Sequence, residues 1–330
     1  MITVTLYSRP ECHLCDQAKE DLAALQEKIP HRLVEINIES DPQLHKTYLT
    51  EIPVVEAGPY RLKAPFTRQA LEMTLGAAAD RMSHLERIGD DSYQAAVKRG
   101  RTITTSDRVY FWLSKHYMVV VNLLLALYLG LPFLAPVLMK AGADGPAQAL
   151  YKVYSPLCHQ FGFRSFFLFG EQLVYPRAAA EINGLQTWGE ATGLGEQDIE
   201  AARAFTGNSD VGFKVALCER DVAIYASMLL FGLVFAASGK RLRGLHWALW
   251  VLIGLAPIGL DGFSQLFSQL ALPLVNALLP YRESTPLLRL LTGALFGFTT
   301  AWFGFPPMEE SMRETRQFLV KKFAIVAQGD

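Results

Sequence analysis

"LYSRPECHLCDQAKEDL", residues Leu6–Leu22, joins a strand-like segment to a helical one through Cys12-His13-Leu14-Cys15. The chain holds only four cysteines, so two of them three positions apart mark a candidate site. Upstream, "ITVTLY" is rich in β-branched and aromatic residues and reads as a strand. Downstream, Ala18, Leu22 and Leu25 fall at helical spacing. Further out, "HRLVEINI" (31–38) reads as a second strand and "DPQLHKTY" as a short helix with Pro42 in its first turn. "IPVVEA" (52–57) and "YRLK" read as two more strands, and "TRQALEMTLGAA" as a closing helix. The order β-α-β-α-β-β-α predicts an α/β domain over residues 1–79.

The composition of the 330-residue chain is split. Hydrophobic residues make up 51% and the net charge is −1, so no global electrostatic case exists for nucleic acid as a partner. Residues 1–110 mix charged and apolar positions, whereas Tyr117–Met139 runs 23 residues without a charge. At about 1.5 Å per helical residue, that length covers a bilayer core of roughly 30 Å. Val222–Ser238 and Leu290–Pro307 are also uncharged, and Gly244–Leu260 carries only His246. Four such runs predict a multidomain protein whose C-terminal part is an all-α polytopic membrane domain with about four transmembrane helices. Gly262–Tyr281 is uncharged but contains Ser264, Gln265, Ser268, Gln269, Asn276 and two prolines, and is expected to be re-entrant or interfacial.

The expected organisation is a front domain at 1–79 and a charged juxtamembrane linker at 80–115. A helical membrane domain follows at 116–307, with an extracytoplasmic loop at 140–221 and a cytosolic tail at 308–330. Lys98, Arg99, Arg101, Arg108 and Lys115 precede the first run, "GKRLRG" (239–244) lies between the second and third, and Arg313, Arg316, Lys321 and Lys322 follow the last. With four spans, the positive-inside rule puts all three basic segments on the cytosolic side of a prokaryotic cell membrane, with both termini. Met1 leads straight into the first strand with no basic n-region, so the front domain is expected to stay in the cytosol. Thiols there are kept reduced, and a Cys-x-x-Cys is catalytic or metal-binding rather than a structural disulfide.

Cys12-His13-Leu14-Cys15 at the first strand-to-helix junction, together with Ile52-Pro53-Val54, resembles the glutaredoxin-like branch of the thioredoxin fold. The resemblance covers residues 1–79 and implies that Pro53 is a cis-proline opposite the active site. The position itself favours thiol chemistry. A helix N-terminus stabilises a thiolate at Cys12, which attacks a disulfide, and Cys15 resolves the mixed disulfide. His13 has two readings: protonated, it would add to that stabilisation, or it is simply a solvated side chain. The competing reading is a zinc half-site, although the domain offers no second Cys/His pair at ligand spacing. His31 and His45 read as surface residues. Glutathione is a candidate co-substrate, but Glu56-Ala57-Gly58-Pro59 stands where glutaredoxins carry a Gly-Gly.

The other two cysteines are Cys158, in "YSPLCHQFGFRSFFLFGEQ", and Cys218, in "ALCERDVAIYASMLLFG". With "PIGLDGFSQ" (257–265) and "RESTPLLRLLTGALFG" (282–297), they resemble an uncharacterised prokaryotic membrane family over about 150–300. That family carries Cys-His-Gln, Arg-Ser-Phe, Cys-x-Arg, Asp-Gly and a late Arg-x-x-x-Gly. Three readings of the cysteines stand side by side: a Cys158–Cys218 disulfide, a zinc or other metal site from Cys158, His159, Cys218 and Asp221, and a redox-active dithiol. Further candidates in this half are Arg164, Arg220, Asp261, Gln265 and Arg289. Asp261 is expected to pair with Arg282 or Arg289. The aromatic run Phe161–Phe169 is expected to lie in the membrane interface or to pack between helices, Trp188, Trp247 and Trp250 to serve as interface anchors, and 187–213 to form a small helical excursion.

Together these features predict a membrane-tethered thiol–disulfide oxidoreductase that acts on protein or low-molecular-weight disulfides. The rival reading is a transporter, channel or membrane enzyme whose site lies in the helical half, with the front domain regulatory.

Overall fold

In the computed structural model, which describes residues 1–89, 91–270 and 280–328, β1 (Ile2–Ser8) lies inside a four-stranded sheet ordered β2-β1-β3-β4. It pairs in parallel with β2 (His31–Asn37) and antiparallel with β3 (Val54–Ala57), which pairs with β4 (Tyr60–Lys63). A parallel pair needs a crossover, and α1 (His13–Leu25) provides it. α2 (Pro42–Tyr48) and α3 (Arg68–Ile88) complete the β-α-β-α-β-β-α order. Val4, Leu6 and Val55 form one core with Leu22 of α1 and Leu71 and Leu75 of α3. Tyr7, Val34, Ile36 and Val54 form a second core with Leu44 and Tyr48 of α2 and both N-terminal cysteines. Thr67 caps the N-terminus of α3, and Gly89, with φ 67°, ends it. α4 (Asp91–Gly100) follows. His31 is buried rather than on the surface, its Nδ1 2.7 Å from the Ile29 carbonyl.

The second half is helical. α5 (Thr105–Lys140) is followed by α6 (Asp144–Tyr154), β5 (Ser165–Leu168), α7 (Trp188–Thr192), α8 (Ile199–Ala204), β6 (Gly207–Asn208) and β7 (Gly212–Cys218). Then come α9 (Glu219–Ala237), α10 (Trp247–Ser268) and α11 (Pro286–Ala327). α5, α9, α10 and α11 are each long and apolar enough to cross a membrane. Leu123, Leu124, Leu127, Leu230, Leu233, Leu252, Leu260, Leu287 and Leu291 stand exposed on these four helices. Apolar rows of this size are solvated by lipid, not water. The helices close on one another through small residues. A Cβ added at Gly297 would lie 2.1 Å from the Ile224 carbonyl oxygen, and one at Gly293 2.8 Å from that of Arg220. This Gly-x-x-x-Gly step therefore seats α11 directly on the backbone of α9.

Three expectations need correction. Gly262–Ser268 does not form a separate re-entrant element but continues α10, because Asp261, Gln265 and Ser268 lie on one buried face at i, i+4 and i+7. Residues 271–279 of that stretch lie outside the described residues. The loop 140–221 is not purely helical, since β5, β7 and β6 form a three-stranded antiparallel sheet there. Finally, Trp188 is not an interface anchor, and of the two readings of the aromatic run it is packing inside the protein that much of it follows. Trp188, Phe163, Phe167, Tyr175 and Val211 make a buried cluster, which gives this small excursion a core of its own.

The last turns of α11 belong with the N-terminal domain. Val320, Ala324 and Ile325 pack on the core around Tyr7, Ile36 and Tyr48. The Lys321 ammonium donates to Glu56 Oε2 at 2.6 Å, and Arg61 holds the other oxygen. Burial alone would push the Glu56 carboxyl up, but Lys321 and Arg61 override it and hold it below the ordinary carboxylate range. A chain that returns to its first domain must cross a membrane an even number of times, which four spans satisfy.

Lys214 of β7 is fully buried and donates at 2.8 Å to the carbonyls of Gln160 and Arg203. Burial lowers its pKa to about 7. Between pH 7 and its ordinary 10.5, the unfolded chain keeps a proton there that the folded chain lacks, so stability should rise with pH. Thermal melts of the detergent-solubilised protein from pH 7 to 9 should show that slope, at most about 1.4 kcal/mol per unit, and Lys214→Met should flatten it. Gly297→Ala should destabilise by about 1–3 kcal/mol in the same assay, while Gly304→Ala, which meets open space, should not.

Candidate functional site

Cys12 is the N-cap of α1, and its Sγ accepts the Cys15 backbone N–H at 3.3 Å. Glu11, in a left-handed conformation (φ 57°), makes the turn that brings the cysteine from β1 to that cap. Cys12 and Cys15 are joined in a disulfide. Cys12 keeps 9% exposure and Cys15 none, so the first sulfur is the one an incoming group can reach. The Ile52–Pro53 peptide is cis, and Ile52 and Val54 on either side of it share a core with both cysteines. His13 and Leu14 lie exposed between the two thiols.

The second site assembles where three segments meet. Cys158 follows α6, with its N–H donating to the Tyr154 carbonyl at 3.0 Å. Cys218 ends β7 and caps α9, its Sγ accepting the Asp221 N–H at 3.4 Å. The Cys218 N–H donates to Cys158 Sγ at 3.2 Å. Both cysteines are free, and their sulfurs and an Asp221 oxygen lie within 4.8 Å of one another. Donation from the Cys218 thiol holds Cys158 below the ordinary thiol range and pushes Cys218 itself well above it. Of the two, Cys158 is the more readily ionised. Beside them opens a cavity of about 340 Å³ lined by these three residues with His159, Arg164, Arg220, Gln265 and Arg289.

Most of the residues expected from the sequence line this cavity, and of the two partners foreseen for Asp261, Arg282 is found and Arg289 is not. His159 lines the cavity but stands outside the cluster of ligating atoms, its ring against Phe161. Gln160 is a clamp: its buried amide donates to the carbonyls of Tyr151 and Ala216 and holds the Cys158 segment on β7. Asp261 pairs with Arg220 and Arg282 and accepts from Ser284 at 2.7 Å. Arg289 pairs instead with Glu219 and Glu283. Glu283 also holds Arg164 and Arg177. Glu219, Glu283 and Arg177 were not foreseen. Acidic residues flanking apolar runs, as in "ALCERD" and "YRESTP", were the signal that could have found the first two.

Residues 3–76 match the family described as Glutaredoxin-like domain (DUF836), and residues 203–303 match the one described as Predicted membrane protein (DUF2085). Over 203 residues the chain is 27% identical to an uncharacterized protein, MJ1492, of Methanocaldococcus jannaschii, a match covering 59% of this chain and 93% of that protein. The X-ray structure of the structural genomics target protein XcR50 from X. campestris is 37% identical, covers 22% of this chain and 96% of its own, and has a TM-score of 0.20. The chain thus joins a glutaredoxin-like domain to a domain of the DUF2085 type of predicted membrane protein.

Proposed function

We propose that this protein is a membrane-tethered thiol–disulfide oxidoreductase whose reacting sulfur is Cys12. The observation that carries the reading is the asymmetry of the pair: Cys12 is reachable at a helix N-cap, and Cys15 is buried one turn in. In the reduced state, helix N–H groups and the dipole favour the Cys12 thiolate. The thiolate attacks one sulfur of a client disulfide, and the first client sulfur leaves as a thiolate and takes up a proton. Cys15, losing its own proton, then attacks Cys12 and releases the second client thiol. The client gains two electrons and the Cys12–Cys15 disulfide forms. Two equivalents of a low-molecular-weight thiol such as glutathione, or one protein dithiol, return the electrons. Pro53 shapes the face on which the client strand lies.

The basic segments before α5, between α9 and α10, and after the apolar part of α11 support a cytosolic placement of this domain and of the C-terminus. In intact cells, a membrane-impermeant maleimide should then reach Cys12 only after permeabilisation. The direct test reconstitutes the full chain in liposomes and follows reduction of a fluorescent disulfide peptide. Cys12→Ser should remove activity completely. Cys15→Ser should stall with the peptide bound covalently to Cys12, visible as a mass shift reversed by reductant. Undiminished turnover in Cys12→Ser would sink the proposal.

A further inference from the structure

The Cys158, Cys218 and Asp221 site is independent of the redox pair, and its residue types ask for a different ligand. We propose that Cys158 Sγ, Cys218 Sγ and one Asp221 oxygen bind a single zinc-class divalent cation, with the fourth coordination position open to the adjoining cavity.

Four observations support this. The three ligating atoms already lie within 4.8 Å of one another. A tetrahedral zinc site with metal–sulfur bonds of about 2.3 Å needs them roughly 3.5–3.8 Å apart, which small side-chain rotations supply. Both sulfurs accept a backbone N–H, Cys158 from Cys218 and Cys218 from Asp221, as metal-bound thiolates do. Two thiolates select a soft or borderline ion, and the carboxylate beside them favours zinc over copper(I). Last, the cluster does not close on itself. It faces a cavity of about 340 Å³, the arrangement of a metal that keeps an exchangeable ligand.

The cavity also defines what that ligand is. Two thiolates, a carboxylate and a divalent cation sum to −1, and Arg164, Arg220 and Arg289 line the same space. Gln265 lines it too, 6% exposed, and among the described residues neither its Nε2 nor Arg220 Nε has a hydrogen-bond partner. Two orphaned donors beside an open metal position fit a small oxygen-bearing or anionic ligand bound to the metal. His159 lines the same wall but stands outside the set of ligating atoms.

The test uses full-length protein purified in detergent under reducing conditions. One equivalent of zinc should co-purify, and Co²⁺ added after chelation should give thiolate-to-cobalt charge-transfer absorption. Both signals should persist in the Cys12→Ser/Cys15→Ser double variant, which separates this site from the redox pair. They should vanish in Cys158→Ser and Cys218→Ser, and Asp221→Asn should weaken Co²⁺ binding at least roughly tenfold. Because cysteine variants can fail to assemble, the wild type is also alkylated. Cys158 and Cys218 should resist maleimide until a chelator is added, while the protein stays monodisperse. A Cys158–Cys218 disulfide in protein extracted separately without reductant, its free thiols blocked at lysis, overturns the assignment. So does immediate alkylation without chelator together with no cobalt absorption in the double variant.

Discussion

Glu283 has a side chain with no exposure, and a charge in that position is tolerable only if neighbouring charges answer it. Arg164, Arg177 and Arg289 do so, with Gln269 donating to the same carboxylate. Those partners come from the turn before β5, the loop after it, the end of α10 and the first turn of α11. Arg289 then carries the constraint onward to Glu219, the residue beside Cys218. Removing one partner of such a group leaves an uncompensated buried charge, at a cost of about 3–5 kcal/mol. The position of the second cysteine site therefore depends on ion pairs that touch neither sulfur. Asp261, with Arg220 and Arg282, repeats the arrangement, and Arg220 brings it to the cavity wall.

The N-terminal domain was legible because its signals are local. A strand, a Cys-x-x-Cys at a helix start and a proline before the third strand lie within about fifty residues, and each can be read without its tertiary partners. The four spans were legible for the same reason, since hydrophobic length is read without knowing any partner. Cys158, Cys218 and Asp221 were recognised as chemistry-bearing, but no pattern along the chain states that residues 60 positions apart share a wall. The pairing of Asp261 with Arg220, and of Arg289 with Glu219, was missed because charge pairing is a property of the packed structure. The small sheet was missed because its aromatic strand, "SFFL", reads equally well as an interfacial belt, and only packing against Trp188 distinguishes the two.

The end of α11 was the hardest feature to read. "RQFLVKKFAIV" is amphipathic, which says that one face is covered but not by what. Its partner is the first domain of the chain, so Val320, Ala324 and Ile325 complete a core begun by Tyr7 and Ile36. The ion pair between Lys321 and Glu56 fixes the register of that contact on β3.

This closure separates the two parts of one core by the entire membrane half, residues 117–309. Translation at about 5–20 residues per second makes that stretch in on the order of ten to forty seconds. During this time the domain carrying Cys12 and Cys15 has left the ribosome without the helix that covers part of its apolar core. Final packing of the glutaredoxin-like domain thus waits until every span between its two parts has been made.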